Sequence, residues 1–120
     1  MEIRIDIISE EMTEREVAAL SRDIGDALFR GRKADSVDPV VASAPESAKG
    51  LVSVIGSLLV GLPVEALTGA LEIIKAIASR PGHPPVTMKI TRDTAEVSFD
   101  PRRVTPAEVA KLAKQLRARE

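Results

Sequence analysis

The sequence predicts an α+β domain in which a small, mostly antiparallel sheet is covered by helices. Three observations indicate this class: stretches that alternate apolar and polar residues, two helix-capping motifs that precede apolar stripes, and a long apolar segment between them. With 120 residues and 12.8 kDa, the chain has enough length for one hydrophobic core. We therefore treat 1–120 as a single domain.

The chain opens with a strand followed by a helix. Residues 2–8 alternate charged and apolar side chains, which is the period of a half-buried strand. Thr13 and Glu16 form the capping-box pattern that starts a helix. Apolar residues then recur at spacings of three and four, so we expect an amphipathic helix that ends near Gly31. Its apolar stripe is Val17, Leu20, Ile24 and Leu28.

Residues 32–47 admit two interpretations. Pro39 and Pro45 break any helix in this stretch. A short edge strand built on three valines is one interpretation, and a flexible connection fits equally well. The valines are Val37, Val40 and Val41.

The segment from about 46 to 79 is apolar on almost every side and predicts helix. Its polar and small residues recur every three or four positions, as on one narrow stripe of a helix. Pro63 interrupts the pattern, so we expect two helices or one kinked helix. A straight helix of this length would measure about 51 Å, which exceeds the size of such a domain. It therefore bends back or projects toward a partner.

A hairpin and a capped helix complete the predicted fold. Residues 86–91 and 95–100 alternate again, which is typical of two strands joined by a tight turn. Thr105 and Glu108 repeat the capping box, with Pro106 at the first helical position. The apolar stripe of this last helix consists of Val109, Leu112 and Leu116.

Composition argues against several classes of function. The chain has no cysteine, one histidine and two aromatic residues, both Phe. It therefore lacks disulfides, thiolate metal sites and thiol nucleophiles, and it is poorly equipped to stack on bases. The sequence contains no phosphate-loop pattern and no nucleophile elbow, and His83 lies in a Gly/Pro-rich linker. We expect a protein that is not an enzyme and that holds no cofactor or metal.

The net charge of −1 conceals a difference between the two ends of the chain. Residues 1–30 carry eight acidic residues against four arginines, a net of −4. Residues 101–120 carry six basic residues against two acidic ones, a net of +4. This difference has two interpretations. Either the two ends attract each other, within the fold or between copies, or both ends carry solvated helix faces. The C-terminal basic residues are a secondary candidate patch: Arg102, Arg103, Lys111, Lys114 and Arg117.

Nucleic acid is not an expected partner of this basic patch. No motif that reads nucleic acid accompanies the basic residues, and the chain as a whole is not basic. Lysine and arginine side chains near the C-terminus of a helix are also stabilised by the helix dipole, so their presence there does not require a ligand.

The apolar segment is the main candidate for an interaction surface. A helix that is apolar all round needs burial on every side, and a small sheet with two other helices provides too little. Ser53, Ser57 and Gly61 are spaced by four, which would let two helices approach closely or let this helix lie on its own sheet. Five leucines would supply buried area: Leu58, Leu59, Leu62, Leu67 and Leu71.

Two alternatives use the same segment. Residues 51–71 have the length of a membrane span and one formal charge, Glu65. A single span would, however, separate the first strand from the hairpin, and an isolated hairpin is barely stable in water. The other alternative is a regulatory module that holds a small molecule between the sheet and residues 51–78. We favour a cytoplasmic protein that acts by protein contact and self-association.

The predicted segments follow one another in a definite order along nearly the whole chain. They are strand 2–8, helix 17–28 with Leu28-Phe29-Arg30-Gly31, segment 51–78, the break at Arg80-Pro81, hairpin 86–100 and the helix opened by 103–108. This order resembles the bacterial effector-associated constant component family, small proteins encoded beside effectors and NTPase-linked modules of predicted conflict (antiviral defence) systems. The resemblance implies a non-catalytic adaptor that couples a sensor to an effector such as a protease, and it supplies no catalytic residues.

Overall fold

A computed structural model describes residues 1–40 and 54–117 of the chain. Within these residues, five strands form one antiparallel sheet in the order β2-β3-β1-β4-β5, and three helices accompany it. The predicted α+β class with a mostly antiparallel sheet is confirmed. The elements are β1 (Glu2–Ser9), α1 (Glu14–Arg30), β2 (Ser36–Val40), β3 (Val54–Gly61), a 3₁₀ turn (Val64–Ala66), α2 (Leu67–Ala78), β4 (Thr87–Arg92), β5 (Ala95–Phe99) and α3 (Pro106–Arg117).

The first four strands interleave two β-α-β units. β1 and β2 run parallel with β3 between them, and β3 and β4 run parallel with β1 between them. This is the split βαββαβ arrangement of ferredoxin-like domains, to which β5 and α3 are added. The sheet centre is therefore built from strands that are distant in sequence.

One face of the sheet carries the hydrophobic core. Residues that pair across antiparallel strands share a face, and the register aligns Ile5 with Leu58 on one side and with Ile90 on the other. All three side chains are buried. α1 lies close over this face, because a Cβ added at Gly56 would stand 2.6 Å from Val17 Cγ1. α2 packs against both α1 and α3.

The predicted helix starts are confirmed. Thr13 Oγ1 accepts a hydrogen bond from the Glu16 backbone N–H at 3.2 Å, and Glu16 Oε1 accepts one from the Thr13 N–H at 3.0 Å. The same pair of bonds joins Thr105 and Glu108, again at 3.2 and 3.0 Å. Each box satisfies two backbone donors that a helix start would otherwise leave free.

The predicted strands outside the apolar segment are also confirmed. β4 and β5 are joined through Asp93 and Thr94, with Asp93 in the left-handed region at φ 52°. Of the two interpretations of 32–47, the structure supports the edge strand, since residues 36–40 form β2. Val41 and Pro45 lie outside the described residues.

The predicted long kinked helix over 46–79 is wrong for residues 54–61, whereas its second half contains the helix α2, and residues 46–53 lie outside the described residues. Residues 54–61 form β3, which pairs with β1 on one side and β2 on the other, and α2 begins only at Leu67. A spacing of four fits one face of a helix and also one face of a strand, since four is a multiple of two. Ser57 and Gly61 therefore share a sheet face instead of a helical stripe. Ser53 lies outside the described residues.

The predicted interaction surface on this segment is largely part of the core. Four of its five leucines are at most 4 % exposed, and they are Leu58, Leu62, Leu67 and Leu71. Leu59 is half-buried on the sheet face opposite the helices. The chain's own sheet and helices thus bury these four leucines, which are not available to a partner. In the described ranges, no helix has both the length and the apolar character needed to cross a membrane.

Replacing a core leucine tests this correction. We expect Leu71→Ala to lower the free energy of unfolding by about 2–5 kcal/mol, because it removes buried contacts and leaves a cavity. Phe29→Ala truncates an exposed side chain and should change that free energy by less than about 0.5 kcal/mol. Urea denaturation followed by circular dichroism measures both variants. Equally small changes would mean that Leu71 faces solvent.

The α3 capping box predicts a dependence of stability on pH. Hydrogen bonds from the backbone N–H of Thr105 and then from its side chain lower the pKa of Glu108 below the usual 4.5. Since the folded state favours the carboxylate, its stabilising effect is complete above the usual pKa and is lost as the pH falls through the lowered one. We expect the wild type to be more stable than Glu108→Gln at pH 7, and this difference to shrink below about pH 4.5. Urea denaturation between pH 7 and pH 3 measures it, and a difference independent of pH would contradict the prediction.

Candidate functional site

A groove of about 590 Å³ lies between α1 and the strands β2 and β3. We call it the Phe29 groove and define it by Ser21, Arg22, Phe29 and Arg30 of α1 with Val37 and Pro39 of β2. Its floor continues onto the middle of β3, at residues 56–58. Its volume lies in the range of pockets that bind small molecules or the side chains of a partner.

Two glycines bring the helix close enough to the sheet to form this groove. A Cβ at Gly25 of α1 would stand 2.9 Å from Val37 Cγ1, and a Cβ at Gly56 of β3 would stand 2.7 Å from Ser21 Oγ. The helix therefore contacts the sheet along the line of Ser21 and Gly25. Residues on the neighbouring side of the helix, Arg22 and Phe29, consequently overhang the edge of the sheet.

Phe29 is the exposed anchor of the groove. It is 61 % exposed, and within the described part of the chain it is the one large hydrophobic side chain in that state. A single exposed apolar residue is common on protein surfaces. Phe29, however, stands at the rim of a concave site that also contains Val37 and Pro39. An apolar ligand group that enters the groove would cover the ring.

Ser21 contributes a hydroxyl without a partner. The residue is 9 % exposed, and its Oγ has no hydrogen-bond partner among the residues that the structure describes. Buried hydroxyls are normally hydrogen-bonded, because leaving one unpaired is costly. Ser21 lines the groove, but its Oγ is buried between the helix and the sheet, where a Cβ at Gly56 would stand 2.7 Å from it.

Charged residues at spacings of four follow the same side of α1. Arg22, Asp26 and Arg30 are all exposed and line the groove. Two cations thus flank one anion along the rim. This order favours negative charge opposite each arginine and disfavours it opposite Asp26.

The opposite face of the sheet carries a cluster of polar side chains that are hydrogen-bonded to one another. Asp6 Oδ1 accepts hydrogen bonds from Ser57 Oγ at 2.5 Å and from Arg4 Nε at 3.0 Å. Asp6 and Ser57 are buried. Ser57 therefore has a different role from the one predicted, since it holds a carboxylate instead of permitting a close approach of helices. A cluster whose members bond one another is typical of a structural network.

The basic residues of the secondary patch lie along α3 and the turn before it. Arg102 donates to the His83 carbonyl, and Arg103 Nε lies 3.6 Å from Asp100 Oδ2. Lys111 and Lys114 are exposed on α3, and Arg117 at its end is half-buried. α2 lies between this helix and α1, so the patch and the Phe29 groove are separate surfaces.

Metal binding and known relatives give no further assignment. Residues 1–40 and 54–117 contain no group of three or more His, Cys, Asp or Glu side chains that could hold a metal ion. No protein-family model, curated protein or solved structure matches this chain. The site is therefore assigned from its geometry.

The sequence patterns do not predict the groove, although one signal for it is present. Phe29 directly follows Leu28, the last member of the apolar stripe, so it departs from the spacing of three and four. A large aromatic residue off the buried stripe of an amphipathic helix faces outward. The contribution of β2, by contrast, depends on a strand pairing that no local pattern shows.

The hydroxyl of Ser21 can be tested by its effect on stability. We expect Ser21→Ala to leave the free energy of unfolding unchanged or raise it by up to about 1 kcal/mol, because the hydroxyl removed has no partner. Ser57→Ala, which deprives Asp6 of a donor, should lower it by about 1–3 kcal/mol. Chemical denaturation compares the two. A loss for Ser21→Ala as large as that for Ser57→Ala would show that Ser21 is hydrogen-bonded.

Proposed function

We propose that this protein is a non-catalytic adaptor that binds a protein partner through the Phe29 groove. The observation that carries the proposal is the exposed ring of Phe29 at the mouth of a groove formed by a helix and an edge strand. In protein interfaces a few residues contribute most of the binding energy, and aromatic side chains are common among them. Surrounding arginines are also enriched at such surfaces.

The sequence resemblance suggests what the partner is. Its family members are adaptors encoded beside effectors in bacterial conflict systems, which would make the partner an effector protease or an NTPase-linked component. The docking surface differs from the one expected from the sequence, since four of the five leucines of residues 58–71 are buried within the chain. Phe29 lies within the part of the chain that carries the resemblance, in Leu28-Phe29-Arg30-Gly31.

Co-expression with the products of the neighbouring genes tests the adaptor function. We expect the wild type to form a complex with one of them and Phe29→Ser to lose it, because the variant removes the apolar anchor. Lys114→Ala on α3 is the matched control and should retain the complex. Size-exclusion chromatography with light scattering measures the masses.

Two results would overturn the proposal. The first is a wild-type chain that binds none of the encoded neighbours. The second is a Phe29→Ser variant that binds as well as the wild type. The mass of the chain alone, compared with 12.8 kDa, also tests the predicted self-association.

A small-molecule ligand is the second candidate for the same groove. The volume of about 590 Å³ and the mixed apolar and charged lining of the groove favour it. A ligand that binds only the folded state would raise the melting temperature. Thermal-shift screening with nucleotides and amino acids tests this candidate, and the Phe29→Ser variant shows whether a hit binds in the groove.

A further inference from the structure

We propose that the Phe29 groove binds an extended segment of the partner, which adds as a strand to the free edge of β2. The bound segment carries an apolar residue flanked two positions away on each side by acidic residues. This inference rests on the proposed adaptor function and specifies the chemistry of the partner.

The free edge of β2 provides the first argument. β2 is the terminal strand of the sheet and pairs with β3, and its outer side faces no other strand in the described ranges. Such an edge presents backbone donors and acceptors that an extended chain can pair with. Pro39 removes one donor from β2, which is tolerated on an edge strand.

The position of α1 provides the second argument. Val37 and Pro39 pair with Val60 and Leu58, which are buried beneath the helices, so both lie on the helix-covered face. A strand added beside β2 would direct every second side chain to that same face, below the overhang of α1. Those side chains would meet Val37 and the ring of Phe29, while the others would point to the opposite face.

Charge spacing provides the third argument. Arg22 and Arg30 are eight residues apart on α1, which corresponds to about 12 Å along the helix axis. Residues four positions apart in an extended strand are separated by about 13 Å. Acidic side chains at positions i and i+4 of a bound segment can therefore reach both arginines. Asp26 between them disfavours an acid at i+2, where an apolar residue fits the groove.

The other face of β2 completes the pattern. Asp38 pairs with Leu59 on the face away from the helices and is exposed. The intervening positions of the bound segment would lie on this face, so basic residues are favoured there. The expected core of the segment is therefore Glu-Lys-Ile-Lys-Glu. The isomer Lys-Glu-Ile-Glu-Lys has the same composition, but its lysines would face the arginines of α1 and its glutamates would lie on the face of Asp38.

Fluorescence polarisation with these two labelled peptides, each flanked by threonines, tests the inference on the full chain. We expect the first peptide to bind at least tenfold more tightly than its isomer. The double variant Arg22→Glu, Arg30→Glu should reverse the preference, since both arginines are exposed and their charges are exchanged. Equal affinities, or an unchanged preference in the double variant, would overturn the inference.

Backbone methylation distinguishes strand addition from other modes of binding. Adjacent N–H groups of a strand point to opposite edges, so only one of them can bond to β2. We compare two peptides, one N-methylated at the isoleucine and the other at the following lysine. We expect one of these two peptides to bind at least fivefold more weakly than the unmethylated peptide, and the other to bind as well as it does. Similar effects at the two positions would contradict strand addition.

The failure of this inference is distinguishable from the failure of the adaptor function. If neither peptide binds but the partner complex still depends on Phe29, the groove is a docking site for a different structure and the inference is wrong. If the chain alone forms a dimer that Phe29→Ser dissociates, the occupant is a second copy and the inference is again wrong. If the wild type binds neither the peptides nor any encoded neighbour, both proposals are overturned.

Discussion

The close packing of α1 on β2 and β3 is the constraint on which the site depends. Gly25 and Gly56 lack side chains where the helix meets the sheet, and a Cβ at either position would stand under 3 Å from a neighbouring side chain. This approach fixes which residues of α1 are buried and which overhang the sheet edge. A helix held farther away would leave Phe29 without a groove beside it. The packing contacts of two glycines therefore shape the proposed binding surface.

The two faces of the sheet have different roles because one buries apolar side chains and the other buries polar side chains that are hydrogen-bonded to one another. The helix-covered face buries Ile5, Leu58 and Ile90 in a single core. On the other face, Asp6 is buried beside Ser57 and Arg4, which both donate to it. A buried carboxylate is tolerated when such donors compensate the loss of water. The groove lies at the boundary of the two faces, where β2 is the last strand and backbone groups become accessible.

Residues 54–61 form a strand although their sequence pattern also fits a helix. Helix and strand patterns are distinguished by their period, but a strand that is buried on one face and packed tightly on the other reads as a nearly continuous apolar run. The small residues at spacings of four suited either period. The structure places β3 next to β1, at least 45 residues away along the chain. That pairing removed the apolar excess from which an interaction surface had been inferred.

The sequence by itself determined the local structure. The capping boxes at Thr13 and Thr105 set the starts of α1 and α3, and alternation defined β1 and the β4–β5 hairpin, because these signals act between residues at most a few positions apart. Only the tertiary structure decided that 54–61 is a strand, that 36–40 form the terminal strand of the described sheet, and that Phe29 lines a groove beside that strand. Strand order and the burial of a helix face depend on contacts between distant segments, whose energies no local pattern contains.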